Sequence, residues 1–306
     1  MLRDIARGED EQIAAIVDAV AAVDPDVLLL LGFDYDAGLA ALTAFAESLA
    51  AAGIDYPHRF AQRPNAGWPT GVDVDGDGQL AEPQDAHGYG RFSGQGGMAL
   101  LSRYQVSDTE ARNFSDLLWR DLPGNRAADV IGPEVQDVLR LSTMAIWDIP
   151  VVIGDTHRLN VLAIHAGAPV FDGPEDRNGI RNEDETAFLL RYLDGWSPDG
   201  AGFAAQNFAV LGTLNVDPER GEGRTGALRA LLADPRLQDP EPQDPDGQTA
   251  TTNWQEPSPG RLRVDYILPS SNLAVLGAGI HGTAEDEAAN LASGHRLVWM
   301  DIQLPN

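Results

Sequence analysis

The run DVLLLLGFD at residues 26–34 constrains the fold more than any other stretch of the chain. Apolar residues without alternation, over the length of one strand, describe a β-strand covered on both faces. Such a strand needs a packed layer on each side. Upstream, Ile13, Ile16, Val17, Val20 and Val23 share one helical face, and Pro25 ends that helix. Downstream, Asp36 can cap a helix whose stripe is Leu39, Leu42, Phe45, Ala46 and Leu49, closed by Gly53.

Further segments repeat this logic unevenly. GGMALLSRYQV (96–106) reads as a strand, and WDIPVVIGDTHRLNVLAIHAG (147–167) as a hairpin turning at Asp155–Arg158. Asn182–Trp196 carries Phe188, Leu189, Tyr192, Leu193 and Trp196 at helical spacing. FAVLGTLNVDP (208–218) is a strand that breaks at Gly212 into a polar turn, and a helix follows near Gly223–Ala233. An acidic, Pro-rich loop spans 235–260, and RVDYILPS and HRLVWMDIQL supply the last two strands. Strands and helices mixed with hairpins imply mixed sheets. With no repeat and no clear linker, one domain over 1–306 is expected.

The charge narrows the function. Forty-seven acidic residues face 21 basic ones, all arginine, for a net charge of −26. A polyanion such as nucleic acid is repelled by that field, and the arginines form no run along the chain. No stretch is apolar enough for a membrane span, and the charged start MLRDIARGEDEQ offers no apolar signal segment. The absence of cysteine removes thiol and disulfide chemistry. Localisation and oligomeric state leave no trace in the sequence.

Five segments in order, DVLLLLGFDYD, GMALLSRY, VLAIHAGAPVFDG, FAVLGTLNVDP, and RVDYIL followed by SGHRLVW, resemble the endonuclease/exonuclease/phosphatase superfamily with its deoxyribonuclease-I-like fold. PVFDGPEDRNGIRNEDE resembles a bacterial branch of it. The resemblance runs from about residue 20 to the end. It implies an α/β (α+β) four-layer sandwich, two packed mixed β-sheets flanked by helices. The implied reaction is hydrolysis of phosphodiesters or phosphomonoesters with Mg²⁺ or Mn²⁺.

Carried over residue by residue, the resemblance gives a divided site. His165 stands where the family has a histidine assisting at the phosphoryl group, Asn215 where it has the asparagine of a GDxN motif. His295 stands at the last histidine and Asp265 at the aspartate that orients it. The metal-holding glutamate becomes Gly32, the GDxN aspartate becomes Thr213, and the SDH aspartate becomes Gly294. A hard divalent cation needs such oxygens. Asp34, Asp36 or Asp217 could shift the metal by one turn. The family's first strand has no counterpart, so the true start is expected upstream or another segment in its place. The implied function is phosphoester hydrolysis, weakened or lost; the alternative is a non-catalytic protein that binds a small phosphorylated molecule in the same cleft.

DVDGDGQLAEPQD (73–85) matches the first half of a calcium loop, with Asp73, Asp75, Asp77, Glu82 and Asp85 as candidate ligands for a structural Ca²⁺. Gln84 occupies the twelfth position, so a full EF-hand is not expected. A solvated acidic turn is the competing reading. The loop GYGRFSGQGGMA (88–99) lacks the Gly-Lys-Ser/Thr ending of a phosphate loop. Arg91 and Arg103 are candidate anion contacts at the rim.

Overall fold

A computed structural model describes residues 1–154, 157–254 and 259–305. The turn expected at Asp155–Arg158 and the loop expected over 235–260 lie partly outside these residues. The chain opens with α1 (Leu2–Arg7) and α2 (Glu11–Val23). Asp10 caps α2 by accepting from the amides of Gln12 and Ile13. The apolar run becomes β1 (Val27–Phe33), followed by α3 (Ala40–Ala51). Asp36 accepts from the amides of Ala40 and Ala41 at 2.8 and 3.0 Å, so the expected cap is present at the start of α3.

After β2 (His58–Phe60), the segment 96–106 differs from the single strand its sequence suggests. It forms β3 (Gly97–Ser102) and β4 (Gln105–Val106), which pair in different sheets. Two residues, Arg103 and Tyr104, carry the chain from one sheet to the other. Next come β5 (Arg112–Asn113), the short helices α4 (Ala127–Val130) and α5 (Pro133–Gln136), and the hairpin strands β6 (Ala145–Ile153) and β7 (His157–His165). Helix α6 spans Arg177–Leu193, five residues earlier at its start than the apolar stripe alone predicts. The chain ends with β8 (Phe208–Thr213), α7 (Gly226–Leu232), β9 (Asp265–Pro269), β10 (Ala274–Ile280), α8 (Glu287–Ala292) and β11 (Val298–Gln303).

One sheet runs β4-β6-β7-β8-β9, with β5 also on β6; β7 and β8 are parallel and the other pairs antiparallel, so the sheet is mixed. The other strands form β1-β3-β2 and, separately, β10-β11, all antiparallel. Burial separates the layers. Leu28, Ala99 and Leu101 face α2 and α3, whereas Met98 and Leu100 meet Trp147, Ile149, Val161 and Ala163 between the sheets. On the far side, Leu162, Ile164, Val210 and Leu268 meet Phe188, Leu189 and Leu228 of α6 and α7. Three apolar seams between helix, sheet, sheet and helix make a four-layer sandwich.

The outer sheet departs from the expected pair of continuous sheets. Among the described residues, β1 pairs only with β3 and β11 only with β10, so each keeps one edge without a strand. No described segment takes the place of the expected first strand. Side chains hold this junction instead: Gln12 of α2 donates to the Ala292 carbonyl of α8 at 3.2 Å, and Leu297 packs on the α2–α3 cluster.

Candidate active site

Strand register puts the candidate residues in one row. Ala145, His165, Thr213 and Asp265 pair in succession across β6, β7, β8 and β9 at one end of the large sheet. Gly212 allows this row to close. A Cβ there would stand 1.9 Å from the Ile164 carbonyl oxygen, so no side chain fits between β8 and β7.

His295, in the segment after α8, reaches the row from outside. Its Nδ1 lies 3.0 Å from both oxygens of Asp265, and the Trp254 ring stands edge-on at 5.3 Å. With Nδ1–H donated to the carboxylate, Nε2 is the nitrogen left for chemistry. Burial disfavours the imidazolium of His295, but the hydrogen bond and charge of Asp265 outweigh it, and its pKa is raised. His165 is opposite in character. Burial, then the charge of His295, push it down to about 4 against the pull of Asp265. It is therefore neutral at pH 7, and its buried Nδ1 has no hydrogen-bond partner.

Asn215 follows the row in a left-handed conformation, φ 56°. Its Nδ2 donates to the Ala166 carbonyl at 2.7 Å, and its amide donates to the Thr213 hydroxyl at 3.3 Å. That hydroxyl donates to the Val264 carbonyl at 3.2 Å and is buried. Thr213 therefore serves the turn and offers no free oxygen.

The donor set does not fit a divalent metal. Gly32 and Gly294 are exposed and bring no ligand atom. The acids that follow these positions accept backbone amides. Asp34 accepts from the Gly96 amide at 3.0 Å, and Asp36 caps α3. Asp217 accepts from the amides of Glu219, Arg220 and Arg263. Among the described residues, Asp34, Asp36 and Asp217 fall in no group of three ligand atoms within 4.8 Å of one another.

Helix α6 supports the row from behind, a role its stripe of aromatics did not announce. Asn182 is buried and donates to the carbonyls of Gly167 and Leu214 at 2.7 and 2.8 Å, tying the loops after β7 and β8 together. Glu185 accepts from the amides of Thr143 and Gly167 at 2.5 and 2.8 Å, and burial pushes it up to about 7. The signal was present in the RNEDE run, polar residues on a face that continues into Phe188 and Leu189.

The two rim arginines separate. Arg103 follows β3 at the far end of β1 from Gly32, with Asp24 and Asp26 taking its charge. Arg91 lies exposed in the glycine-rich loop, whose Gly94 donates to the Ala66 carbonyl.

Of the five calcium-loop candidates, Asp73, Asp75 and Asp85 present carboxylate oxygens within 4.8 Å of one another. Asp77 turns instead to the amide and side chain of Gln79 at 2.7 and 3.0 Å. Glu82 stays outside that cluster, its pKa raised by burial and then by the charges of Asp77 and Asp75. Asp85 already accepts from the amides of Val74 and Glu82. The cluster could hold a metal ion.

A family model described as the endonuclease/exonuclease/phosphatase family matches residues 3–287. No curated protein matches the sequence. Among solved structures, the chain is similar to an endonuclease/exonuclease/phosphatase from Beutenbergia cavernae DSM 12333, with 19% identity and TM-score 0.60, over 96% of this chain and 66% of that one. It is also similar to a family protein from Leptotrichia buccalis C-1013-b, with 13% identity and TM-score 0.57, over 96% and 93% of the two chains. A third, the human Nocturnin catalytic domain with bound sulfate anion, shares 16% identity at TM-score 0.52, over 96% and 86%.

Proposed function

The chain belongs to the endonuclease/exonuclease/phosphatase family, and on that premise we propose that it binds small phosphate esters at the His165–Thr213–Asp265 row and hydrolyses them weakly or not at all. The observation that carries this reading is Thr213. In the middle of the row, between His165 and Asp265, stands a buried hydroxyl bonded within its own turn where the family's chemistry calls for an acid. Gly32 and Gly294 extend the same loss.

What remains suits an anion. Neutral His165 offers a ring nitrogen to a phosphoryl oxygen, and Asn215 shapes the adjoining turn. His295 is oriented by Asp265, whose hydrogen bond and charge raise its pKa and so favour the protonated form that an anion can meet. In any residual hydrolysis the unprotonated Nε2 accepts a proton from attacking water. The second role for this chain, ligand binding without turnover, uses the same residues. We propose a structural Ca²⁺ for the Asp73–Asp75–Asp85 cluster.

The test incubates purified protein with a generic phosphodiester and a phosphomonoester across Mg²⁺, Mn²⁺ and Ca²⁺, beside His165→Ala and His295→Ala. The expected result is little or no turnover in any metal, with calorimetric binding of a phosphomonoester that both variants weaken. Brisk metal-dependent turnover lost in both variants refutes the weakened-enzyme reading.

A further inference from the structure

The ladder between β6 and β7 ends at the row, where Ala145 pairs with His165. Continued by two residues, the same register would set Thr143 against Gly167. Both amides donate to Glu185 of α6 instead, Thr143 to one oxygen at 2.5 Å and Gly167 to the other at 2.8 Å. A Cβ on Gly167 would stand 2.5 Å from the Thr143 hydroxyl oxygen, so only glycine lets the two strand ends come this close. One carboxylate thus bridges the strands where they part.

Among the described residues, the other hydrogen bonds along Ala166 and Gly167 run to backbone or side-chain amides. The Ala166 amide donates to the Thr213 carbonyl at 3.0 Å, and its carbonyl accepts from Asn215 at 2.7 Å. The Gly167 carbonyl accepts from Asn182 at 2.7 Å. Amides do not titrate near neutrality. Glu185, which is fully buried, is the partner that can gain or lose a proton.

The groups around Glu185 fix the charge it feels. On its own helix, Arg181 is pushed down to about 10 by burial, stays cationic, and donates to the carbonyls of His87, Arg140 and Leu141. Asp184 turns to Trp119 and the Arg126 amide. The segment before β6 meets Glu185 with the Thr143 amide and hydroxyl, and the loop after β7 with the Gly167 amide. Burial raises the Glu185 carboxyl to about 7 against the pull of Arg181 and these donors. Two histidines beside these segments titrate elsewhere, since burial pushes both His87 and His165 down to about 4.

We propose that Glu185 is a positioning residue that ties the geometry of the His165 row to pH. As a carboxylate it accepts from both strand ends. With a proton it keeps one good acceptor, so one of the two amides loses its partner and the His165–Gly167 segment is freed to shift. Charge-assisted hydrogen bonds are roughly twice as strong as neutral ones, so the ionised form holds the row more firmly. The sign for the whole fold is the reverse. An unfolded glutamate titrates near 4.5, so the native protein holds an extra proton between 4.5 and about 7, and stability falls as pH rises through that window. The effect on ligands rests on the phosphate-ester reading above; the clamp does not.

The test is ¹H–¹⁵N NMR of the native protein from pH 5 to 9. The Thr143 and Gly167 amides are expected to shift with one shared midpoint, and the His165 ring signals to follow it. Glu185→Gln, with its folding checked by thermal melting, should silence that midpoint at all three residues. Calorimetry then uses diethyl phosphate, whose charge is constant over this range. The ratio of its affinities at pH 8.5 and 5.5 should differ at least threefold between the native protein and Glu185→Gln, since His295 is common to both. Amides that stay silent, or that titrate unchanged in Glu185→Gln, refute the clamp, and the first result needs no variant. Equal affinity ratios refute its hold on the row. Failure of the phosphate reading looks different: diethyl phosphate then binds at neither pH, while the amides and the ring still titrate together.

Discussion

Restoring the three missing carboxylates should recreate a metal site, at a cost that the structure specifies. The perturbation is Gly32→Glu, Thr213→Asp and Gly294→Asp together, in an Asp73→Asn/Asp75→Asn background that silences the acidic loop. At Gly32 an added Cβ meets nothing within 4 Å, but the backbone sits at φ +70°. A non-glycine residue there costs about 1–2 kcal/mol. At Gly294 the nearest atom is Nε1 of Trp254 at 3.7 Å, an ordinary contact. At Thr213 an aspartate cannot donate to the Val264 carbonyl and brings a charge into a buried row, costing about 1–3 kcal/mol. The metal-free variant should therefore melt several degrees below its parent. A cation at one hundred times its Kd returns about 2.7 kcal/mol, roughly 5–10 °C for a domain approaching this size. Differential scanning fluorimetry in EDTA and in Mn²⁺ reads this directly, and bis(p-nitrophenyl) phosphate reports turnover. The expected result is a Mn²⁺-dependent rise in melting temperature, and activity lost with His165→Ala, in the variant alone. Two results would falsify the argument: the same rise in the parent background, or a folded variant that gains neither metal response nor turnover.

Three further outcomes follow from individual contacts. Asn182→Ala leaves the Gly167 and Leu214 carbonyls without their donor, so urea unfolding should show a loss of about 2–4 kcal/mol and weakened phosphate binding. The raised pKa of His295 means its pairing with Asp265 stabilises the fold fully below the unfolded imidazole value and fades as pH rises through the folded value. In Asp265→Asn, NMR titration should find the His295 pKa lower, and that part of the stability profile flattened. Ca²⁺ should raise the melting temperature of the parent, and Asp73→Asn should abolish the rise; a melt indifferent to Ca²⁺ and EDTA removes the loop as a cation site.

Much of this architecture can be traced to local sequence. The apolar run of β1, the Asp10 and Asp36 caps, and the β6–β7 hairpin follow from periodicity and capping, and the structure places each as expected apart from the turn residues outside its described range. The family motifs led to the Asp265–His295 contact at 3.0 Å. Strand β10 was not legible, for a physical reason. Glycines 277 and 279 weaken any strand signal, yet a Cβ on Gly279 would stand 2.8 Å from the Trp299 ring. A residue on β11 thus decides what β10 can carry. The strand switch after Ser102 and the earlier start of α6 escaped similarly, since both depend on which sheet or loop lies opposite. Arg140 lies far along the sequence from Arg63 and Trp68, and only the fold brings its guanidinium onto the Trp68 ring.

The unpaired edges of β1 and β11 set how the molecule opens. Every neighbouring strand in the large sheet is joined by a ladder of hydrogen bonds, so those amides are released together, at the full cost of unfolding. The junction between β1 and β11 is held by side chains of α2 and Leu297 and by the Ala292 carbonyl of α8, without a shared ladder. For a unit comprising β10, α8 and β11 to detach while the large sheet persists, the Thr252–His295 backbone bridge and the buried Arg296–Asp244 pair must break as well. Hydrogen exchange should resolve two clocks, with faster exchange on this C-terminal unit than on β6 to β9. Because His295 lies three residues before the start of β11, detachment carries it away from Asp265, and the same slow breathing interrupts the candidate site.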